Sequence, residues 1–228
     1  MDTSTENELR SLMTAFLEEN AKLNLSALRS EEACWHGNIL DSLSAKNLTL
    51  FDSESPLSIL DVGTGGGFPL LVLALTYPHH QFTGLDSTRK KCLAIERILA
   101  KQNITNVSII ADRAESLGHD KRYREHFDIV TARAVAPLAT LLEFLSPFCR
   151  PGGHIVCWKS LHIEQELQES QFAQTELACE FLHKHEYTLP GDWGTRQLLV
   201  FAKRSVLPKK YPRELGIPGK QPLSANAD

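Results

Sequence analysis

The chain has 228 residues, with 24 lysines and arginines against 28 aspartates and glutamates, and a formal net charge of −4. Its apolar fraction of 42% and charged fraction of 23% are those of an ordinary globular protein. They exclude disorder, a collagen-like repeat and a supercharged chain.

The opening MDTSTENELR is acidic and polar, which predicts no signal peptide. Apolar stretches such as Pro69–Leu75 fall far short of the roughly 20 residues that span a bilayer, so no membrane partner is expected. Leu9, Leu12, Met13, Phe16 and Leu17 recur at three- and four-residue steps, the pattern of an amphipathic helix. A second helix is predicted from Ser30, an N-cap followed by Glu31 and Glu32, through Trp35, Ile39, Leu40 and Leu43. The polar, turn-like Phe51–Pro56 marks a boundary.

Beyond it, short apolar runs alternate with helical stretches. Strands are predicted at Leu57–Val62, Phe82–Asp86, Val107–Ala111, Phe127–Thr131 and Ile155–Trp158, the last opened by Pro151-Gly152-Gly153. Helices are predicted up to about Tyr77, over Thr88–Lys101, over Pro137–Phe148 and near Ile163–Phe172. This alternation implies a parallel sheet with helical crossovers. The runs Leu177–Thr188 and Gln197–Ala202 flank Pro190-Gly191-Asp192 and read as an antiparallel pair on the sheet edge. The division is a helical extension over residues 1–50, a body over 51–203 and a basic tail over 204–228. Lys203–Lys220 carries six cations and one acid, Glu214, which points to an anionic partner.

Cys34, Cys92, Cys149, Cys157 and Cys179 are odd in number and widely spaced, so neither disulfides nor a zinc site is expected. No ligand set repeats around histidines such as His183 and His185, so no metal is expected. A reducing cytoplasm fits these thiols.

The chemistry concentrates at Asp61-Val-Gly-Thr-Gly-Gly-Gly-Phe-Pro69, between the first strand and its helix. An α/β sheet places a cofactor there. Gly63, Gly65 and Gly67 let the backbone approach a ligand. The dinucleotide fingerprint fails because its last glycine falls on Phe68, and no Gly-Lys-Ser/Thr follows for a phosphate loop. The loop better suits S-adenosyl-L-methionine, with Asp61 near its positive amino group or sulfonium. Asp86 ends the second strand, where a carboxylate can accept both ribose hydroxyls and, compatibly, cap the next helix. Glu115 is placed for the adenine amino group and the Ala114 amide for the ring, with Asp112 competing for that role.

The chain resembles the bacterial ribosomal RNA small subunit methyltransferase G family, also called the glucose-inhibited division protein B family. The resemblance lies in Leu23-Asn-Leu-Ser-Ala-Leu28, His36 with Leu40-Asp-Ser-Leu43, the glycine loop from Leu60, Arg113-Ala-Glu115, Thr131-Ala-Arg-Ala-Val-Ala-Pro137 and Tyr211-Pro-Arg213. It implies an α/β, Rossmann-like class I methyltransferase fold, with a mostly parallel seven-stranded sheet and an antiparallel last strand. It also implies methylation of N7 of a guanine in the 530 loop of 16S rRNA, with naked rRNA or the small ribosomal subunit as partner. Gly63, Phe68, Ala114, Glu115 and Arg133 match the family's cofactor contacts. Two positions depart from the family: Lys159-Ser160 stands where Lys-Gly is usual, and Asp112 where the residue is often small.

Guanine N7 holds a free lone pair in the neutral base, so its methylation needs positioning rather than a strong general base. Arg133 is the strongly polar group at this switch point and the expected catalytic residue. It is placed to meet the cofactor carboxylate or the guanine O6, or else to be a surface arginine at a helix start. Lys203, Arg204, Lys209, Lys210 and Arg213 form the expected RNA-binding set on a mobile basic edge, with Tyr211 available for stacking. A monomer is expected. The rival readings are a nicotinamide-dependent oxidoreductase, disfavoured by Phe68; a non-catalytic RNA-binding protein with a vestigial cofactor fold; and a methyltransferase for another substrate.

Overall fold

The computed structural model describes residues 3–133 and 136–225. Ala134 and Val135, inside the block that follows Thr131, lie outside the described residues.

The amphipathic opening forms α1 (Thr3–Leu23). Leu9, Leu12 and Phe16 are fully buried on one face, and Phe16 meets Phe68 edge-on with ring centroids 4.8 Å apart. Arg97 and Lys101 reach across to Glu19 and Glu18, tying α1 to a helix of the body. The second predicted helix is not regular. Ser30 does cap α2 (Glu31–Cys34), its hydroxyl accepting the Ala33 amide. A π-helical turn, Trp35–Leu40, then precedes α3 (Asp41–Leu43), and 3-10 turns lead to Phe51.

Seven strands follow: β1 (Ser58–Val62), β2 (Gln81–Asp86), β3 (Val107–Ala111), β4 (Phe127–Arg133), β5 (Cys149–Ser160), β6 (Cys179–Thr188) and β7 (Thr195–Lys203). Their order across the sheet is β3-β2-β1-β4-β5-β7-β6. The first five run parallel, and β7 enters antiparallel between β5 and β6. Alternate residues feed two cores. Ile59, Phe82, Ile129 and Val156 pack with α1, α4 (Leu70–Thr76) and α5 (Arg89–Gln102). Leu60, Leu85, Val130 and Ile155 pack beneath α7 (Leu138–Leu145), which follows the short α6 (Ala114–Leu117).

β5 starts at Cys149 and so includes Pro151-Gly152-Gly153, which were expected to precede it. The helix expected near Ile163–Phe172 splits into α8 (Glu164–Glu169) and α9 (Gln171–Glu176). The break falls at Ser170, whose hydroxyl donates to the Leu167 carbonyl and so competes with the helical ladder.

The tail is not a mobile edge. Arg124 donates to the carbonyls of Leu207, Pro208 and Tyr211. Arg213 grips the fully buried Glu143 of α7 at 2.7 Å, and α10 (Ile217–Lys220) offers the Pro218 carbonyl to Thr140. No helix among the described residues is long and apolar enough to cross a membrane, and no cluster of metal-ligating side chains occurs among them.

Candidate active site

The carboxyl ends of β1, β2, β3 and β4 open onto a cleft of about 420 Å3. Its floor is the glycine loop. The amides of Gly63 and Thr64 both donate to the Leu85 carbonyl, and the Gly65 amide donates to Asp86 Oδ2 at 2.9 Å. Gly65 has φ +56, and a Cβ there would meet nothing nearer than the Gly63 carbonyl at 3.7 Å. A side chain would therefore project into the open cleft beside it. Gly63, Gly65, Gly66 and Phe68 line the cleft. Gly67 does not, which corrects its assignment to the cofactor. It has φ +91, and a Cβ there would stand 2.5 Å from Leu71 Cδ1, so its role is close packing of the loop onto α4. That is the packing task the fingerprint's third glycine would have served.

Asp86 is 7% exposed and uses Oδ1 to accept the Thr88 amide at 2.8 Å. The N-cap of α5 is Thr88, so Asp86 buttresses the turn rather than capping the helix. A carboxylate accepts about four hydrogen bonds, which leaves roughly two sites for hydroxyls. Ala114 begins α6, and Glu115 beside it is buried, with Oε1 accepting the Gly216 amide of the tail. Asp112 also lines the cleft, but it is exposed and turned to the Arg113 amide.

Arg133 closes the far end, at the last residue of β4. It is not a surface arginine. Its Nη1 donates to the Gly37 carbonyl and to Asp41 Oδ2, both at 2.9 Å, and its Nη2 donates to Asn38 Oδ1 at 2.7 Å. The π-helical turn supplies Gly37 and Asn38, a distortion frequent at functional sites. Asp41, 1% exposed, also accepts the Tyr187 hydroxyl at 2.7 Å and pairs with Arg196 at 2.9 Å. Burial and the neighbouring Asp41 push the Tyr187 phenol up, so it donates as a neutral hydroxyl. Sequence reasoning assigned no role to Asn38, Asp41, Tyr187 or Arg196. The available signal was a lone acid, Asp41, among the apolar Ile39, Leu40 and Leu43 of the predicted helix.

The expected RNA-binding set is dispersed. Lys203 is 0% exposed, donates to Ser146 Oγ and the Leu177 carbonyl, and cannot meet RNA. Burial lowers its pKa. Arg213 is committed to Glu143, while Arg204 pairs with Glu180 and Lys210 with Glu176. Lys209 is exposed and has no acidic partner among the described residues.

These residues suit S-adenosylmethionine. Asp61 is 2% exposed; its Oδ1 accepts the Thr131 hydroxyl at 2.8 Å, and its Oδ2 has no partner among the described residues. The Thr64 hydroxyl, in the cleft wall, favours the ionised carboxylate of Asp61 but makes no well-formed hydrogen bond among the described residues. A buried carboxylate oxygen left over is costly unless a cation meets it. Burial pushes the Asp61 carboxyl up to about 6, against the opposing pull of the Thr131 and Thr64 hydroxyls and of Arg133. The group is ionised above that pH and neutral below it. Cofactor affinity is therefore expected to be full at pH 8, to weaken as the pH falls through 6, and to lose this dependence in Asp61→Asn. Calorimetric titrations across that range test this, and a pH-independent wild-type affinity would remove Asp61 from the site.

A family model described as rRNA small subunit methyltransferase G matches residues 5–191. The curated protein "Ribosomal RNA small subunit methyltransferase G" of Carboxydothermus hydrogenoformans is 39% identical over 207 residues, covering 91% of this chain and 87% of the relative. Its namesake in Staphylococcus aureus is 38% identical over 222 residues, covering 96% and 92%. Among solved structures, the ribosomal protein L11 methylase of Lactobacillus delbrueckii subsp. bulgaricus superposes with a TM-score of 0.51 at 19% identity, covering 71% of this chain and 77% of that one. That likeness is one of fold alone, the class I methyltransferase fold. Matched by the family model over most of its length and by relatives across more than nine-tenths of it, the chain belongs to the rRNA small subunit methyltransferase G family.

Proposed function

We propose that this protein transfers the methyl group of S-adenosylmethionine to N7 of a guanine in the 530 loop of 16S rRNA. The observation that carries this reading is the meeting of the glycine-loop cleft with Arg133 and the π-helical turn at one end. Asp86 would hold the ribose. Glu115, buried and anchored, is better fixed than the exposed Asp112 to meet the adenine. The cofactor brings an electrophilic methyl on a sulfonium. The chain's part is to orient it and the base and to exclude water. No histidine or cysteine lines the cleft among the described residues, which suits an acceptor that needs no deprotonation. The five free, buried cysteines suit a reducing cytoplasm, where the protein would act as a monomer.

Arg133→Ala is expected to lower methyl transfer at saturating RNA by about 10–100-fold, because orientation is lost at the reacting end. Single-turnover transfer from labelled cofactor to small subunits and to naked rRNA checks it. A wild-type rate in the variant would leave Arg133 a structural residue.

The phosphate contacts fall elsewhere than on most of the tail. Arg89 and Lys90 begin α5 beside the cleft, Lys91 and Arg113 line it, and none has an acidic partner among the described residues. Together with Lys209 they are the proposed backbone contacts. Arg89→Glu with Lys90→Glu is expected to weaken RNA binding and to flatten the log–log salt slope by about 1.4–1.8, the loss of two phosphate contacts. Cofactor affinity stays unchanged. Filter binding at several salt concentrations measures it, and an unaltered slope would move the RNA to another face.

A further inference from the structure

A second cavity, about 410 Å3, adjoins the cofactor cleft. The two share Ser26, Asn38 and Arg133 as a common boundary. Its size lies within the roughly 300–1,000 Å3 of small-molecule sites. The far wall is one row across three strands: Ser160 of β5 is registered with Arg196 of β7, and Arg196 with Tyr187 of β6. Residues so registered share a face of the sheet, and Trp158, two positions before Ser160, shares it too. Trp158 Nε1 donates to the Asp41 carbonyl, so this face is turned to the amino-terminal helices.

We propose that this cavity receives the target guanine, extruded from the RNA, and that its spare donors select guanine over adenine. The inference rests on the methyltransferase reading above and assigns the acceptor its place. The base must present N7 at the shared boundary, because the methyl group arrives there. O6 lies beside N7 on the same edge and comes to the same boundary. Arg133 has five N–H donors and spends three on Gly37, Asn38 and Asp41. Nε–H and one Nη2–H remain uncommitted among the described residues, and both seek an acceptor. N7 must keep its lone pair for the methyl group, so both donors fall to O6, a carbonyl oxygen with two lone pairs, whereas adenine carries an amino donor in that place. Adenine would set donor against donor, a mismatch more costly than a missing bond.

Asp41 does not read the base. Tyr187, Arg196 and Arg133 already fill three of its roughly four acceptor sites. It is a positioning residue that fixes the two guanidinium groups. Ser160 is where the wall can be moved. It is exposed, so a larger side chain there does not disturb a core.

The test has two arms on the full chain, with the unmodified small subunit RNA as substrate. In the first, inosine, 2-aminopurine or adenine replaces the target guanine in otherwise identical RNA. Inosine keeps O6 and N7 and is expected to accept methyl within about threefold of guanine. 2-Aminopurine lacks O6, adenine carries an amino group there, and both are expected to fall roughly ten- to hundredfold, the range for losing a base contact made by two donors. In the second arm, Ser160→Trp narrows the cavity. Methyl transfer is expected to drop at least about a hundredfold while cofactor affinity, which also reports folding, stays within twofold. Equal transfer to guanine and 2-aminopurine would overturn the donor-selection claim. A wild-type rate in a cofactor-binding Ser160→Trp protein would overturn the location. If Ser160→Trp no longer binds cofactor, the smaller Ser160→Leu takes its place, with the same expectation of lowered transfer at retained cofactor affinity, and a wild-type rate there overturns the location. Absence of transfer by the wild-type protein to its guanine RNA would instead overturn the methyltransferase reading, a result distinct from either.

Discussion

Arg213→Ala is expected to destabilise the folded protein by about 3–5 kcal/mol, the cost of leaving one member of a buried ion pair alone. Glu143 is 0% exposed and Arg213 24% at their side chains. Both carboxylate oxygens accept from Arg213, and its backbone amide donates as well. Arg213 Nη2 also donates to the Gln221 carbonyl, which pins the segment around α10. The loss is large against a typical total of about 5–15 kcal/mol. It also reaches the active site, since the same segment presents the Gly216 amide to Glu115. Cofactor affinity is therefore expected to fall with stability. Arg204→Ala is the control. Its pair with Glu180 is more than half exposed on both sides, so a change of about 0–1 kcal/mol is expected. Urea denaturation of the two variants measures the contrast. Equal, small losses would show that the tail is not anchored by Arg213.

Gly65→Val is expected to abolish cofactor binding, by about two orders of magnitude or more in affinity. Two effects combine. At φ +56 a β-branched residue is strained by about 1–3 kcal/mol. Its side chain would also stand in the cleft, where nothing but the Gly63 carbonyl lies within 4 Å of the Cβ position. Gly67→Val separates binding from folding. Its Cβ would strike Leu71 Cδ1 at 2.5 Å, so stability is expected to fall first. Calorimetry and thermal melts on both variants distinguish these losses. Near-normal affinity in a folded Gly65→Val protein would place the cofactor elsewhere.

The sheet was legible because its signal is local. The runs at Val107–Ala111 and Ser58–Val62 alternate between two cores, and Gly63 to Gly67 stand where β1 must turn. The family blocks led to Phe68, Glu115 and Arg133. The π-helical turn was not legible, because Trp35, Ile39 and Leu43 keep helical spacing whether the ladder runs four or five residues back. The tail was misjudged for a different reason. Counting cations overlooks their partners: Glu180, Glu176 and Glu143 lie 24, 34 and 70 residues away in sequence from the cations they neutralise. Lys203 could not be told from its exposed neighbours because burial at the end of β7 depends on Ser146 and Leu177, which arrive from other elements. The Asp41 network is likewise non-local, joining α3, β4, β6 and β7 around one carboxylate.

The most direct test of the account is the position and atom of methylation. Small subunits that lack the modification are incubated with the purified protein and S-adenosylmethionine labelled in the methyl group. The rRNA is then reduced with borohydride and cleaved with aniline, which breaks the chain at 7-methylguanosine, and the breaks are compared with those in subunits incubated without the protein. The account predicts one labelled methyl per subunit and one cleavage, at a guanine of the 530 loop. Label that resists this cleavage, or that falls on another nucleotide, would contradict it.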